Sequence, residues 1–158
     1  MEKRWSKPGS EGAELMITVI VADDHTVLRD GLRYLLEAQG DIQIVGMAAN
    51  GQEAVEQAIL YCPDVVVMDI SMPVMNGIEA TKLICEACQN TKVVILSMHH
   101  TTEYMQRALE AGAVGYLLKD SAGKELVTAI RDLKHGKSYF GQDNKAGGTG
   151  ESLESRDL

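Results

Sequence analysis

The sequence predicts an α/β domain: a parallel sheet with helices packed on both of its faces. Three observations lead there. Short apolar runs rich in β-branched residues alternate with helical-period stretches five times between Ile17 and Gly136. The connections are only a few residues long, as right-handed crossovers between parallel strands require. The apolar runs are continuous rather than alternating, which marks strands buried on both faces.

The first run is "ITVIVA", from Ile17 to Ala22. It leads into "DDHTVLRDGLRYLLEAQG", where Val27, Leu28, Leu32, Leu35 and Leu36 recur at helical spacing and Gly40 supplies the stop. "IQIVGMA" is the second strand and "GQEAVEQAILY" the second helix. "DVVVMD" is the third strand, followed by "NGIEATKLICEACQN", a helix carrying apolar Ile78, Leu83, Ile84 and Ala87. "KVVILS" is the fourth strand, and "TEYMQRALEAG" a helix ending on a glycine signal. "GYLLK" and "GKELVTAIRDLKHG" complete the fifth pair. The polar residues 1–15 show no period and read as a disordered arm, with Trp5 solvated. Residues 16–136 are the domain. Residues 137–158, rich in Gly and Ser after "KSYFG", read as a flexible linker that stops short of an output domain.

Composition narrows the function. The 158 residues suffice for one domain with a substantial core. A net charge of -8 argues against a domain that holds nucleic acid by its own electrostatics, because neutralising phosphates needs a basic surface. No signal-peptide pattern and no long apolar run is present, so neither secretion nor a membrane span is expected. Cys62, Cys85 and Cys88 make no even disulfide framework, which points to a reducing cytoplasm.

The chemistry gathers at the strand ends. In an open parallel sheet, ligands bind outside the carboxyl ends of the strands, where the strand order reverses. Asp23 and Asp24 follow the first strand, Asp69 closes the third, Ser97 the fourth and Lys119 the fifth. Asp69 therefore sits at the lip of the core rather than inside it. Three carboxylates this close repel one another and need a cation. An all-oxygen set suits a hard divalent ion such as Mg²⁺, with Lys119 as a fixed positive charge and Ser97 as a hydroxyl donor. Asp69 is then a nucleophile able to form an aspartyl phosphate.

Asp23-Asp24, Asp69, Ser97 and Lys119, in that order and at those strand ends, resemble the receiver domain of two-component response regulators. "ADDH", "LRDGLRYLLE", "DISMPVMNGIEA", "LSMHH" and "GYLLKDS" are similar to the subgroup whose receivers precede a LuxR/NarL-type DNA-binding domain. The resemblance implies a flavodoxin-like, doubly wound (βα)5 fold with strand order 2-1-3-4-5. It implies phosphorylation on Asp69, and Mg²⁺ held by Asp24 and Asp69, by Asp23 mainly through water, and by the backbone carbonyl of Ser71. Ser97 and Tyr116 match the family's switch pair and Lys119 its phosphate-binding lysine. The implied partners are a histidine kinase or phosphotransfer protein, a second copy in a homodimer, and DNA through an output domain outside this chain. One departure is Asp120, where many receivers have proline.

Other readings fit these residues less well. A Mg²⁺-dependent phosphohydrolase would need a second carboxylate two residues after the nucleophile, where this chain has Ser71, so an enzyme is not expected. A flavin carrier would need a hydroxyl- and glycine-rich phosphate loop where "ADDH" stands. A stand-alone receiver acting through protein contacts is the alternative to a DNA-binding regulator. "CEAC" lies late in its helix, away from the N-terminus that activates redox thiols, and reads as structural. A zinc site made by His25 with His99 and His100 is disfavoured by the surrounding carboxylates. Met98, one residue past Ser97, is expected to narrow access to the acceptor. Met72-Pro73 and Asn76-Gly77 are turn chemistry that shapes the loop beneath Asp69.

Overall fold

Five parallel strands form one sheet in the order β2-β1-β3-β4-β5. They are β1 (Ile17–Ala22), β2 (Ile42–Ala48), β3 (Val65–Asp69), β4 (Lys92–Ser97) and β5 (Gly115–Leu118). The connecting helices are α1 (Thr26–Glu37), α2 (Gly51–Tyr61), α3 (Gly77–Ala87), α4 (Thr102–Ala111) and α5 (Lys124–Lys134). This computed structural model describes residues 16–99 and 101–140. The N-terminal arm with Trp5, His100 and the tail from residue 141 lie outside them.

The strand order puts the sheet's reversal between β1 and β3, as the doubly wound reading requires. All of β3 is buried, which explains its unbroken apolar run. Alternate strand residues separate into two layers. Ile20, Val66, Met68 and Ile95 pack with Ala54 and Ala58 of α2, Ala80 and Ile84 of α3 and Ala108 of α4. Val19, Val21, Val67 and Leu96 pack with Leu32 and Leu36 of α1 and Leu126, Ile130 and Leu133 of α5. Small residues on α2 to α4 and large ones on α1 and α5 set the spacing of the two layers. Each fully buried aliphatic side chain contributes roughly 1.5–3 kcal/mol.

The helix starts are fixed locally. Asn50 and Asn76 each accept the N–H three residues on, from Glu53 and Glu79, both at 2.9 Å. Gly112 closes α4 in the left-handed region at φ 112°, the conformation glycine adopts at no steric cost. Val27 and Leu83 belong to the apolar repeats yet face outward, at 87% and 41% exposure, while Leu32, Leu36, Ala80 and Ile84 are the residues that reach the core. The predicted domain boundary falls at Gly136, and hydrogen-bonded structure continues past it through a bridge between Tyr139 and Gly115. No helix among the described residues is long and apolar enough to cross a membrane.

Candidate functional site

Strand register builds the site. Ala22 pairs with Met68, so the next residues, Asp23 and Asp69, emerge side by side from β1 and β3. Ser97 pairs with Leu118, so Lys119 emerges next to the end of β4. Lys119 opens a short 3₁₀ turn, Lys119–Ser121, which ends the strand and carries its side chain back over the carboxylates. Gly77 holds the other wall: its N–H donates to Ile70 O at 2.8 Å, and a Cβ there would run into the Asp69 carbonyl. The start of α3 is thereby pressed against the strand end that bears Asp69.

The lip is more enclosed than the sequence predicts. Asp23 and Asp69 are only 1% and 3% exposed, whereas Asp24 is exposed. The side chains of their neighbours provide this cover, Lys119 above all. Its Nζ stands 3.1 Å from Asp23 Oδ2 and 3.2 Å from Asp69 Oδ2, with its own side chain 8% exposed. Burial raises the Asp69 carboxyl above the usual carboxylate range, and the Asp23 charge adds to the effect; Lys119 and the Ser71 N–H, 3.4 Å from Asp69 Oδ1, oppose it. Burial alone would favour the neutral amine of Lys119, but the two carboxylates outweigh it and raise its pKa, so the ammonium persists.

One lysine does not neutralise this cluster. Ligand atoms of Asp23, Asp24, His25 and Asp69 all lie within 4.8 Å of one another. Oδ2 of Asp23 and of Asp69 are buried and accept no well-formed hydrogen bond, despite the ammonium beside them. Two orphaned, inward-facing carboxylate oxygens next to a third carboxylate fit a divalent cation, and three oxygen donors suit a hard one. His25 caps the group. Its backbone N–H donates to Asp23 Oδ1 at 2.8 Å, while Nδ1 lies 2.9 Å from the same oxygen and 3.3 Å from Asp24 Oδ1.

Ser97 and Tyr116 meet at the backbone of one residue, His99. Ser97 Oγ accepts the His99 N–H at 2.9 Å, and the Tyr116 hydroxyl donates to His99 O at 2.9 Å. Both side chains are buried, so the loop after β4 is clamped from below by the two predicted switch residues. Burial raises the Tyr116 phenol, and a hydrogen bond from Ser97 works against that rise. The His99 ring turns away and stacks on Tyr104, with centroids 4.5 Å apart. Met98 is 71% exposed.

Of the residues singled out in the sequence, Asp23, Asp24, Asp69 and Lys119 converge, and Ser97 joins Tyr116 at the neighbouring loop. Ser71 lies at the start of the loop below, with its N–H turned to Asp69. His25 enters the cluster without His99, and His100 lies outside the described residues. Cys85 and Cys88 diverge: Cys85 Sγ donates to Gly112 O at 3.5 Å and Cys88 Sγ to Ala58 O at 3.6 Å, and burial raises both thiols. Two functional contributions escaped sequence reasoning. The direct seat of His25 on Asp23 depends on how α1 begins, and the clamp on His99 uses only its backbone, which leaves no trace in residue type.

Comparison with known proteins places the chain in a family. The chain is 45% identical over 124 residues to the uncharacterized transcriptional regulatory protein YxjL of Bacillus subtilis, covering 78% of this chain and 57% of that protein. It is 43% identical over 122 residues to the transcriptional regulatory protein LiaR of the same organism, covering 77% and 58%. The chain thus spans less than two thirds of these relatives. A crystal structure of a two-component response regulator of the LuxR family from Aurantimonas superimposes with a TM-score of 0.77 at 35% identity, covering 81% of this chain and 91% of that one. The profile of the response regulator receiver domain matches residues 19–131, and the chain belongs to that family.

Proposed function

We propose that this chain is a phosphorylation-dependent switch in which Asp69 accepts a phosphoryl group from a histidine kinase or a phosphotransfer protein. The buried carboxylate of Asp69 supports this most directly: it is a candidate nucleophile with the Lys119 ammonium 3.2 Å from its Oδ2. Asp69 attacks phosphorus as the bond to the donor's leaving group breaks, giving an aspartyl phosphate. Lys119 is positioned to pair with a phosphoryl oxygen once Asp69 is esterified. Asp24, Asp69 and the Ser71 carbonyl, with Asp23 assisting, would hold a Mg²⁺ ion, which would supply positive charge to the phosphoryl oxygens.

Ser97 then turns its hydroxyl to a phosphoryl oxygen, and Tyr116 follows because both hold the backbone of the same residue, His99. The two arrangements of the loop after β4 are populated according to their contacts with the phosphoryl group. In a longer protein this shift would govern a DNA-binding output domain and homodimer formation, in the cytoplasm. Both relatives named above are transcriptional regulatory proteins. Mg²⁺ and acetyl phosphate, followed by intact mass, test the reading. One phosphoryl adduct per chain, absent from Asp69→Asn, is expected. No adduct, or continuous hydrolysis of phosphate esters at many turnovers, overturns it.

A further inference from the structure

Beyond α5 the chain returns to the sheet. Tyr139 bridges Gly115 in the parallel sense: its N–H donates to Val114 O at 2.9 Å, and Tyr116 N–H donates to Tyr139 O at 2.9 Å. The flanking side chains alternate as in a strand. Tyr139 packs with the layer under α1 and α5, its hydroxyl donating to Glu125 Oε2 at 3.2 Å, whereas Phe140 packs against the opposite layer, which contains Tyr116. Gly115 makes the approach feasible, since a Cβ there would lie 3.0 Å from Tyr139 O and 2.8 Å from Val94 Cγ2. Tyr139 therefore pairs Val114 O and the Tyr116 N–H at the start of the outer edge of β5, groups an open edge would leave unpaired.

We propose that this edge is a docking surface for the chain's own residues 138–140, and that their seating is coupled to the state of Tyr116. The proposal rests on reading Tyr116 as a switch residue. Tyr116 makes two contacts in opposite directions, through its hydroxyl to the loop after β4 and through its amide to Tyr139. A rearrangement that frees the hydroxyl therefore acts on the same residue whose amide holds the segment. Coupling of this kind is reciprocal for the underlying equilibrium: unseating the segment shifts the population of the state that phosphorylation favours by the same factor as that state changes the seating, and the adduct midpoint, a kinetic quantity, follows that shift without having to equal it.

The test uses the 158-residue chain and Tyr139→Pro, which removes the N–H given to Val114 O, with Phe140→Ala as a variant that keeps every backbone bond. Amide exchange at Tyr116 and the acetyl phosphate concentration for half-maximal adduct, with Mg²⁺, are measured in each. Faster Tyr116 exchange in both variants, with a midpoint shifted about five-fold or more, is expected. Faster exchange with an unmoved midpoint overturns the coupling, and unchanged exchange overturns the seat. Tyr116 protection that disappears on dilution of the unaltered chain also overturns it, because a second copy would then fill the edge. Failure to form any adduct on the unaltered chain would strike at the phosphoacceptor reading itself, so the two failures are distinguishable.

Discussion

Asp69 is the residue where opposing terms meet most sharply. Its carboxyl is raised by burial first and by Asp23 second, with Lys119 unable to cancel both. A raised carboxyl in the folded chain means that the native state holds a proton more readily than the unfolded state. Ionised Asp69 therefore costs stability above its folded pKa, and the cost disappears as pH falls through that value towards the ordinary 3.8. Asp69→Asn, without divalent ions, is expected to stabilise the domain at neutral pH by about 1–3 kcal/mol, the usual scale for an under-compensated buried polar group. The gain should shrink on acidification. Urea midpoints at neutral pH and below about pH 4 check this. A gain that grows in acid, or a loss at neutral pH, would contradict it. If Asp69 is the acceptor proposed above, it is a position where stability has been given up to chemistry.

At the scale of elements, the loop from β3 to α3 carries the strain. Met75 N–H donates to Pro73 O at 2.7 Å across Val74, which is held at φ 70°. That tight turn with a positive central φ is unfavourable, most of all for a β-branched residue. Val74 is 80% exposed, so little packing offsets the cost. Val74→Gly is expected to raise stability by about 1 kcal/mol, seen as a higher thermal midpoint, with the Asp69 adduct unaffected. A lower midpoint would show that the turn is not strained. Pro73 and Asn76-Gly77 announced this loop in the sequence because turn and cap chemistry is local. Val74 did not, because valine is among the residues least expected there. The strands read from apolar runs reappear as Ile17–Ala22, Ile42–Ala48 and Lys92–Ser97. Lys119 left its predicted strand for the 3₁₀ turn. That step depends on where the side chain can reach two carboxylates, which is long-range information. The same holds for Tyr139, whose bridge to Gly115 joins residues far apart in the chain.

For the molecule as a whole, the excess of negative charge is local as well as global. The chain carries a net -8, and three carboxylates at the rim of the sheet face one lysine. The unfolded chain separates those carboxylates and loses any reason to hold a divalent ion tightly. Binding to the native state alone stabilises it by RT ln(1 + [L]/Kd), about 2.7 kcal/mol at a hundred-fold excess over Kd. Millimolar Mg²⁺ is therefore expected to raise the thermal midpoint by several degrees, in a curve that follows the logarithm of concentration once the site is filled. General screening also relieves repulsion across an acidic surface, so the control is NaCl at equal ionic strength, which lowers all exposed interactions without occupying a site. Asp24→Asn separates the two effects: Asp24 is exposed, and its removal should leave the NaCl response intact while flattening the Mg²⁺ curve. Equal stabilisation by the two salts, or an undiminished Mg²⁺ curve in Asp24→Asn, would mean that Lys119 alone balances the site and that Asp24 is only part of the acidic surface.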